Sequence, residues 1–212
     1  MKRKTEIKQN EMAVTEIVAG KEVLCTPGVS TCICIAAKGQ FGTHPFMALF
    51  HWDGFDYDFD KQAVGAEDTA RAIIELLTVR FVCMIKREFS GYHRVEKPRL
   101  TEMHIIGGEK ATPDLSGTEF EVEMLRKYLP VYCNKYFDTM PDNRYFFQNY
   151  FTGQNGKSDS VTVSITPNGV TIKSDDDALT NLGVTDSESF TSEDSVHDEK
   201  LDEPIIRRRK IT

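Results

Sequence analysis

Cys32-Ile-Cys-Ile-Ala-Ala37 and Phe46-Met-Ala-Leu-Phe-His51 are two short apolar runs separated by a glycine-containing segment, Lys38 to His44. The isoleucines of the first run favour a strand buried on both faces. A buried helix segment has the same composition, and periodicity alone does not separate the two. Working outward, Met12 to Val18 and Glu22 to Thr26 read as strands on either side of the Gly20-Lys21 turn. Pro27-Gly28 then interrupts regular structure, and Lys38 to His44 reads as a loop. Ala70, Ile73, Ile74, Leu77, Phe81 and Ile85 recur at helical spacing, so a helix is expected from Ala66 to about Lys86. Glu67 and Asp68 open it and Lys86 and Arg87 close it, as the helix dipole favours. Leu100 to Ile106 reads as a strand closed by Gly107-Gly108, and Thr118 to about Leu129 as a second helix ended by Pro130. Arg144 to Thr152 reads as an aromatic strand, and Val161 to Thr166 with Val170 to Lys173 as a hairpin around Pro167-Asn168-Gly169. Strands mixed with two helices make the fold class α+β.

The 212 residues suffice for one sizeable core and a tail. Residues 1–10 are charged and expected to be flexible, and residues 11–173 form the ordered domain. Residues 174–212 are rich in Asp, Glu, Ser and Thr and end in Arg207-Arg-Arg-Lys210, which predicts a disordered acidic tail with a basic end. A net charge of −7 argues against general nucleic-acid binding. No apolar stretch reaches membrane-spanning length, so no membrane insertion is expected. Met1-Lys-Arg-Lys4 is followed by polar residues, not the apolar core of a signal peptide. The expected location is the cytoplasm, with secretion into host cells by a dedicated system left open. Five irregularly spaced cysteines, Cys25, Cys32, Cys34, Cys83 and Cys133, read as free thiols and not as a disulfide framework.

The chemistry is concentrated around Cys32. A thiol is a useful nucleophile as thiolate, so it needs a neighbour that takes its proton. Cys32 and His51 lie at the ends of two short expected strands, and neighbouring strands are about 4.8 Å apart. Thr26, six residues before Cys32, offers a hydroxyl or a carbonyl to orient the imidazole. Peptide N–H groups around Gly28, Ser30 and Thr31 are candidates for an oxyanion hole. Each residue also has a plainer reading: a buried cysteine, a satisfied histidine and a strand-end threonine. Their joint placement is what points to chemistry.

Other signals are weaker. Cys25, Cys32, Cys34 and His51 contain zinc-ligand types, but no second compact Cys pair follows Cys32-Ile-Cys34. No metal and no cofactor is therefore expected. His44 is a reserve base, and His104 reads as structural. Gly107-Gly108 reads as a turn in preference to a close backbone approach. Asp53, Asp56, Asp58 and Asp60 alternate with aromatics without the closing glutamate of a calcium loop, and a solvated, substrate-contacting loop is expected. The basic end reads as a targeting patch or as a solvated terminus.

Thr26-Pro-Gly-Val-Ser-Thr-Cys32 resembles the Thr-x-Gly-Leu-Gly-Ser-Cys segment of CheD, the bacterial chemoreceptor glutamine deamidase family. His51 falls at that family's histidine position, and Ile105-Ile-Gly-Gly108 is similar to its Phe-Gly-Gly segment. The helix from Thr118 to Leu129, Asn143-Arg-Tyr-Phe-Phe147 and Thr152-Gly153 follow in family order, so the resemblance spans roughly residues 12–173. It implies β-sandwich-like mixed sheets flanked by two helices, an architecture also similar to the catalytic domain of cytotoxic necrotizing factor toxins. It further implies a triad of Cys32 as nucleophile, His51 as general base and acid, and Thr26 as orienting group. The implied reaction converts a protein glutamine side chain to glutamate. The implied partner is a chemoreceptor or, in a pathogen, a host protein. Trp52-Asp-Gly54 after His51 departs from the family pattern of an apolar residue and then proline. Two alternatives accompany this reading: a CheD-like binding or regulatory module without turnover, and another thiol acyl-transfer enzyme such as a transglutaminase or protease.

Overall fold

In a computed structural model, residues 3–18, 20–55, 59–91, 97–110, 117–138, 145–148, 160–174, 179–182 and 209–210 are described. In chain order they form β1 (Arg3–Glu6), β2 (Glu11–Glu16), β3 (Glu22–Val29), β4 (Ile33–Phe41), β5 (His44–Trp52), α1 (Ala66–Glu88), β6 (Arg99–Gly107), α2 (Glu119–Tyr136), β7 (Tyr145–Gln148), β8 (Val161–Thr166), β9 (Gly169–Ser174), β10 (Leu179–Leu182) and β11 (Arg209–Lys210). One sheet has the order β1-β3-β8-β9-β10 and the other β11-β2-β5-β4-β6-β7. Both are mixed, because β1 runs parallel to β3 and β7 parallel to β6 while the other pairs are antiparallel. The fold is α+β with two helices and two mixed sheets.

Strand alternation divides the apolar residues into two cores. Ile33, Ala37, Phe46, Ala48, Phe50 and Trp52 pack with Ala70, Ile74, Phe81, Val122, Leu125 and Leu129 of the helices. Cys34, Ala36, Met47, Leu49 and Ile106 face the other way and meet Leu24, Val29, Val163, Ile165 and Ile172 of the second sheet. The six-stranded sheet is thus the middle layer, with helices on one face and the second sheet on the other. The helices lie parallel, cross-linked by Lys127 to Glu67 and Lys135 to Glu75, both at 2.6 Å.

Several expectations change. The charged N-terminus is not frayed from Arg3 onward: β1 pairs with β3, and Ile7 is fully buried. β3 runs through Pro27-Gly28 instead of stopping there. The two residues between Thr26 and Val29 face one residue of β8, Thr162, between Val163 and Val161. Gly28 absorbs the extra residue at φ 72°, a left-handed conformation that suits glycine in a bulge. The bulge keeps Thr26 and Val29 facing inward while Pro27 and Gly28 are exposed. Lys38 to His44 is a hairpin, with Phe41 paired to His44. Pro130 lies inside α2. It costs about 3 kcal/mol, but Leu129, Tyr132 and Cys133 stay buried around it. Burying a large apolar side chain contributes about 1.5–3 kcal/mol, so packing carries the helix past the proline. In the expected tail, Ser174 ends β9, Leu179–Leu182 pairs with β9 and Arg209–Lys210 with β2. The remainder of the tail, Asn143-Arg144 and Thr152-Gly153 lie outside the described residues.

Candidate active site

Cys34 pairs directly with His51 across β4 and β5. Facing residues of an antiparallel pair share one side of the sheet, and residues two apart on a strand share it too. His51 therefore sits with Met47 and Leu49 on the side facing the second sheet, and Cys32 lies in the bend just before β4, two residues from Cys34. From the opposite sheet, Thr26 reaches across: its Oγ1 is 2.6 Å from His51 Nδ1. Both residues are buried, Thr26 fully and His51 to 4 % exposure.

The second partner of Thr26 assigns the protons. Thr26 Oγ1 donates to the Ile7 carbonyl at 2.8 Å. A hydroxyl has one proton and a carbonyl can only accept, so Thr26 must accept from His51 Nδ1–H. The Nδ1 proton leaves Nε2 as the basic nitrogen. Burial pushes the His51 pKa below the ordinary histidine value, against an opposing pull from the Asp53 carboxylate. Burial thus favours the neutral imidazole, with Nε2 buried and without a partner among the described residues. Thr26 thus orients the histidine through its hydroxyl, one of the two possibilities open from sequence.

Cys32 is half-buried. Burial pushes its thiol pKa up, a Thr31 side-chain hydrogen bond pulls it down, and Asp53 pushes it up again. Among the described residues His51 Nε2 has no hydrogen bond, so the thiol and the imidazole are not bonded to each other. Both shifts favour the uncharged forms, a thiol at Cys32 and a neutral imidazole at His51.

The loop that carries Cys32 is held by backbone. Gly108 N–H donates to the Cys32 carbonyl at 3.1 Å. Thr118 Oγ1 donates to the Thr31 carbonyl at 3.0 Å and accepts from Glu109 N–H at 2.8 Å. Gly107, at φ 106°, leaves no room for a side chain: a Cβ there would lie 2.3 Å from the Cys32 carbonyl oxygen. The glycine pair is therefore a close approach to the cysteine loop, not the simple turn expected. Of the expected oxyanion residues, exposed Gly28 lies in the β3 bulge, while exposed Thr31 and half-buried Ser30 lie on the loop leading to Cys32.

The loop after His51 is not the solvated segment expected. Trp52 and Phe55 are buried and pack edge to face, and Phe59 and Phe120 join them. Lys61 ties the loop to α2 through Glu121 at 2.9 Å and the Gly117 carbonyl at 2.8 Å. Asp53 and Asp60 are exposed, while Asp56 and Asp58 lie outside the described residues. His44 bonds Glu16 at 2.6 Å at the other end of β5, away from Cys32. His104 stacks on Phe146 and lies 3.8 Å from Glu102, consistent with a structural place. Cys25 alternates to the outer side of its sheet, opposite Thr26. Among the described residues no His, Cys, Asp and Glu group is gathered to hold a metal. No described helix is long and apolar enough to cross a membrane.

Sequence reasoning did not tie the Ile7 carbonyl, Asn10, Gly108 or Thr118 to these residues. Asp53 was expected in a solvated, substrate-contacting loop, with no partner assigned to it. No protein-family model matches the chain, and a search of curated proteins finds no relative.

Proposed function

We propose that this protein is a cysteine-dependent protein-glutamine deamidase of CheD type, using Cys32, His51 and Thr26. The observation that carries the reading is the Ile7–Thr26–His51 chain of hydrogen bonds, which leaves Nε2 as the basic nitrogen of a histidine paired with Cys34, two residues from Cys32. A buried nitrogen without a partner is a cost of roughly 1–3 kcal/mol, tolerable where that atom has a proton to move.

In this mechanism the Cys32 thiol passes its proton to His51 Nε2 as sulfur bonds to the carboxamide carbon. Peptide N–H groups in the stretch Gly28 to Cys32, including those of Ser30 and Thr31, receive the oxyanion. The tetrahedral adduct collapses, the C–N bond breaks, and His51 returns the proton so that ammonia leaves. Water then attacks the thioester with His51 again taking a proton. The C–S bond breaks, the thiol is regenerated and a carboxylate is released. No metal or cofactor enters these steps. The substrate is a protein with an accessible glutamine, a chemotaxis protein in the cytoplasm or a host protein reached by secretion.

Ammonia release from glutamine-bearing proteins tests the reading. Cys32→Ala and His51→Ala should each reduce it by about a thousandfold or more, and activity surviving both substitutions contradicts the triad. A second reading, a binding module without turnover, is favoured by the raised thiol pKa and the missing thiol–imidazole bond. It predicts tight association with a partner and no ammonia from any glutamine substrate.

A further inference from the structure

Asp53 follows β5, two residues after His51. The ladder pairs Cys34 with His51 and Ile33 with Trp52. Cys32 and Asp53 stand one residue beyond that last pair, at the adjoining ends of β4 and β5. The β1–β2 turn fixes this carboxylate. Asn10 Nδ2 donates to Asp53 Oδ2 at 2.5 Å and Gln9 Nε2 to the same oxygen at 3.2 Å. Asn10 Oδ1 accepts the Asp53 peptide N–H at 3.3 Å, and the Asn10 peptide N–H donates to the His51 carbonyl at 2.7 Å. Asn10 adopts φ 60°, a left-handed conformation that asparagine tolerates. Both amides converge on Oδ2, so Oδ1 has no partner among the described residues. Cys32 and His51 both feel the Asp53 charge, which pulls each toward its protonated form.

Attack by Cys32 imposes an orientation on a bound carboxamide. Its oxygen points to the peptide N–H groups of the cysteine loop, and its nitrogen must lie toward His51, which protonates the leaving group. That is the side of β5, where Asp53 stands. We infer that Asp53 accepts a hydrogen bond from the amino group of a primary carboxamide, and that its charge turns away the corresponding carboxylate. The site then selects amide over acid and expels the acid once it forms. This inference rests on the thiol chemistry proposed at Cys32, but it concerns recognition and is testable without turnover.

The probes are iodoacetamide, a primary carboxamide, and iodoacetate, its carboxylate counterpart. Both consume the same thiolate, so changes in thiol ionisation or in folding cancel in the ratio of their rates. That ratio is read at the Cys32 peptide by mass spectrometry, with exposed Cys83 as reference in the same chain. Asp53→Asn should lower the amide-to-acid ratio at Cys32 by about tenfold and leave Cys83 unchanged. Asp53→Glu should keep most of the selectivity, and high salt should reduce it. An unchanged ratio in Asp53→Asn overturns the inference, as does a wild-type Cys32 that neither reagent reaches. If the ratio behaves as expected while no glutamine substrate releases ammonia, recognition stands and the deamidase reading fails. If ammonia is released and Asp53→Asn leaves the ratio unchanged, the reverse holds.

Discussion

One face of β5 presents Phe46, Ala48, Phe50 and Trp52 to the helices; the other presents Met47, Leu49 and His51 to the second sheet. On the helix side the named β5 side chains are apolar, and burial alone accounts for them. On the sheet side, polar groups enter the middle sheet at the same alternation: His51 and Cys34 near one end, met by Thr26 of the second sheet, and Lys38, Glu102 and His104 near the other. Most of their atoms are bonded, as at Thr26 Oγ1 and in the 2.6 Å Lys38–Glu102 pair. His51 Nε2 and His104 Nδ1 are not. Stability would be served better by apolar residues at such positions. The difference teaches that one set of β4 and β5 residues packs only apolar surface against the helices, while the alternate set packs the second sheet and also admits polar groups. The two sets are separable by substitution.

The largest effect expected on the sheet side comes from Gly107→Ala. Its Cβ would strike the Cys32 carbonyl in a left-handed backbone, costing roughly 3 kcal/mol or more and displacing the cysteine loop. Chemical denaturation with Cys32 alkylation measures both. A variant with wild-type stability and reactivity would mean that the glycine contact does not hold the loop.

Thr26→Val comes next. It keeps shape but strips the hydroxyl, leaving His51 Nδ1 and the Ile7 carbonyl unbonded in the interior, at a cost of about 1–3 kcal/mol. Thr26→Ser should restore most of that, because the orienting atom is the oxygen. Urea midpoints for the three proteins decide it, and equal midpoints for Val and wild type would remove the hydroxyl from the account.

Acidification gives the smallest effect. Folding depresses the His51 pKa from the ordinary value of 6.5. Below that value the unfolded chain takes the proton first, so the His51 contribution to stability falls as pH drops through the interval down to the lower folded value. His51→Gln lacks this slope. The stability difference between wild type and His51→Gln should therefore shift by about 1 kcal/mol or less between about pH 7.5 and about pH 5.5, against wild type on the acid side. Parallel pH profiles would contradict a buried neutral imidazole.

Much of the frame was legible where periodicity and local chemistry agree. The α1 stripe from Ala70 to Ile85 and the β8–β9 hairpin follow from spacing and turn residues alone. Cys32, His51 and Thr26 were singled out because two strand ends and one loop lie close in sequence, and the structure brings Thr26 against His51. The misses share a non-local cause. β1 is a run of charged residues that becomes a strand by pairing in parallel with β3. Lys38 to Phe41 looks like loop but is flanked by β5 and β6 on both sides. α2 passes Pro130 because its far half is buried, which no propensity anticipates. Ile7, Asn10, Asp53 and Thr118 joined the site through partners 19 to 87 residues away, and no spacing rule reaches that far.

The account depends on His51 acting on the Cys32 sulfur. The direct measurement is the rate of iodoacetamide alkylation at Cys32 near neutral pH, in wild type and in His51→Gln, normalised to exposed Cys83. Removing the base should slow Cys32 by about tenfold or more while Cys83 stays constant. Equal normalised rates in the two proteins would contradict the pairing of thiol and imidazole.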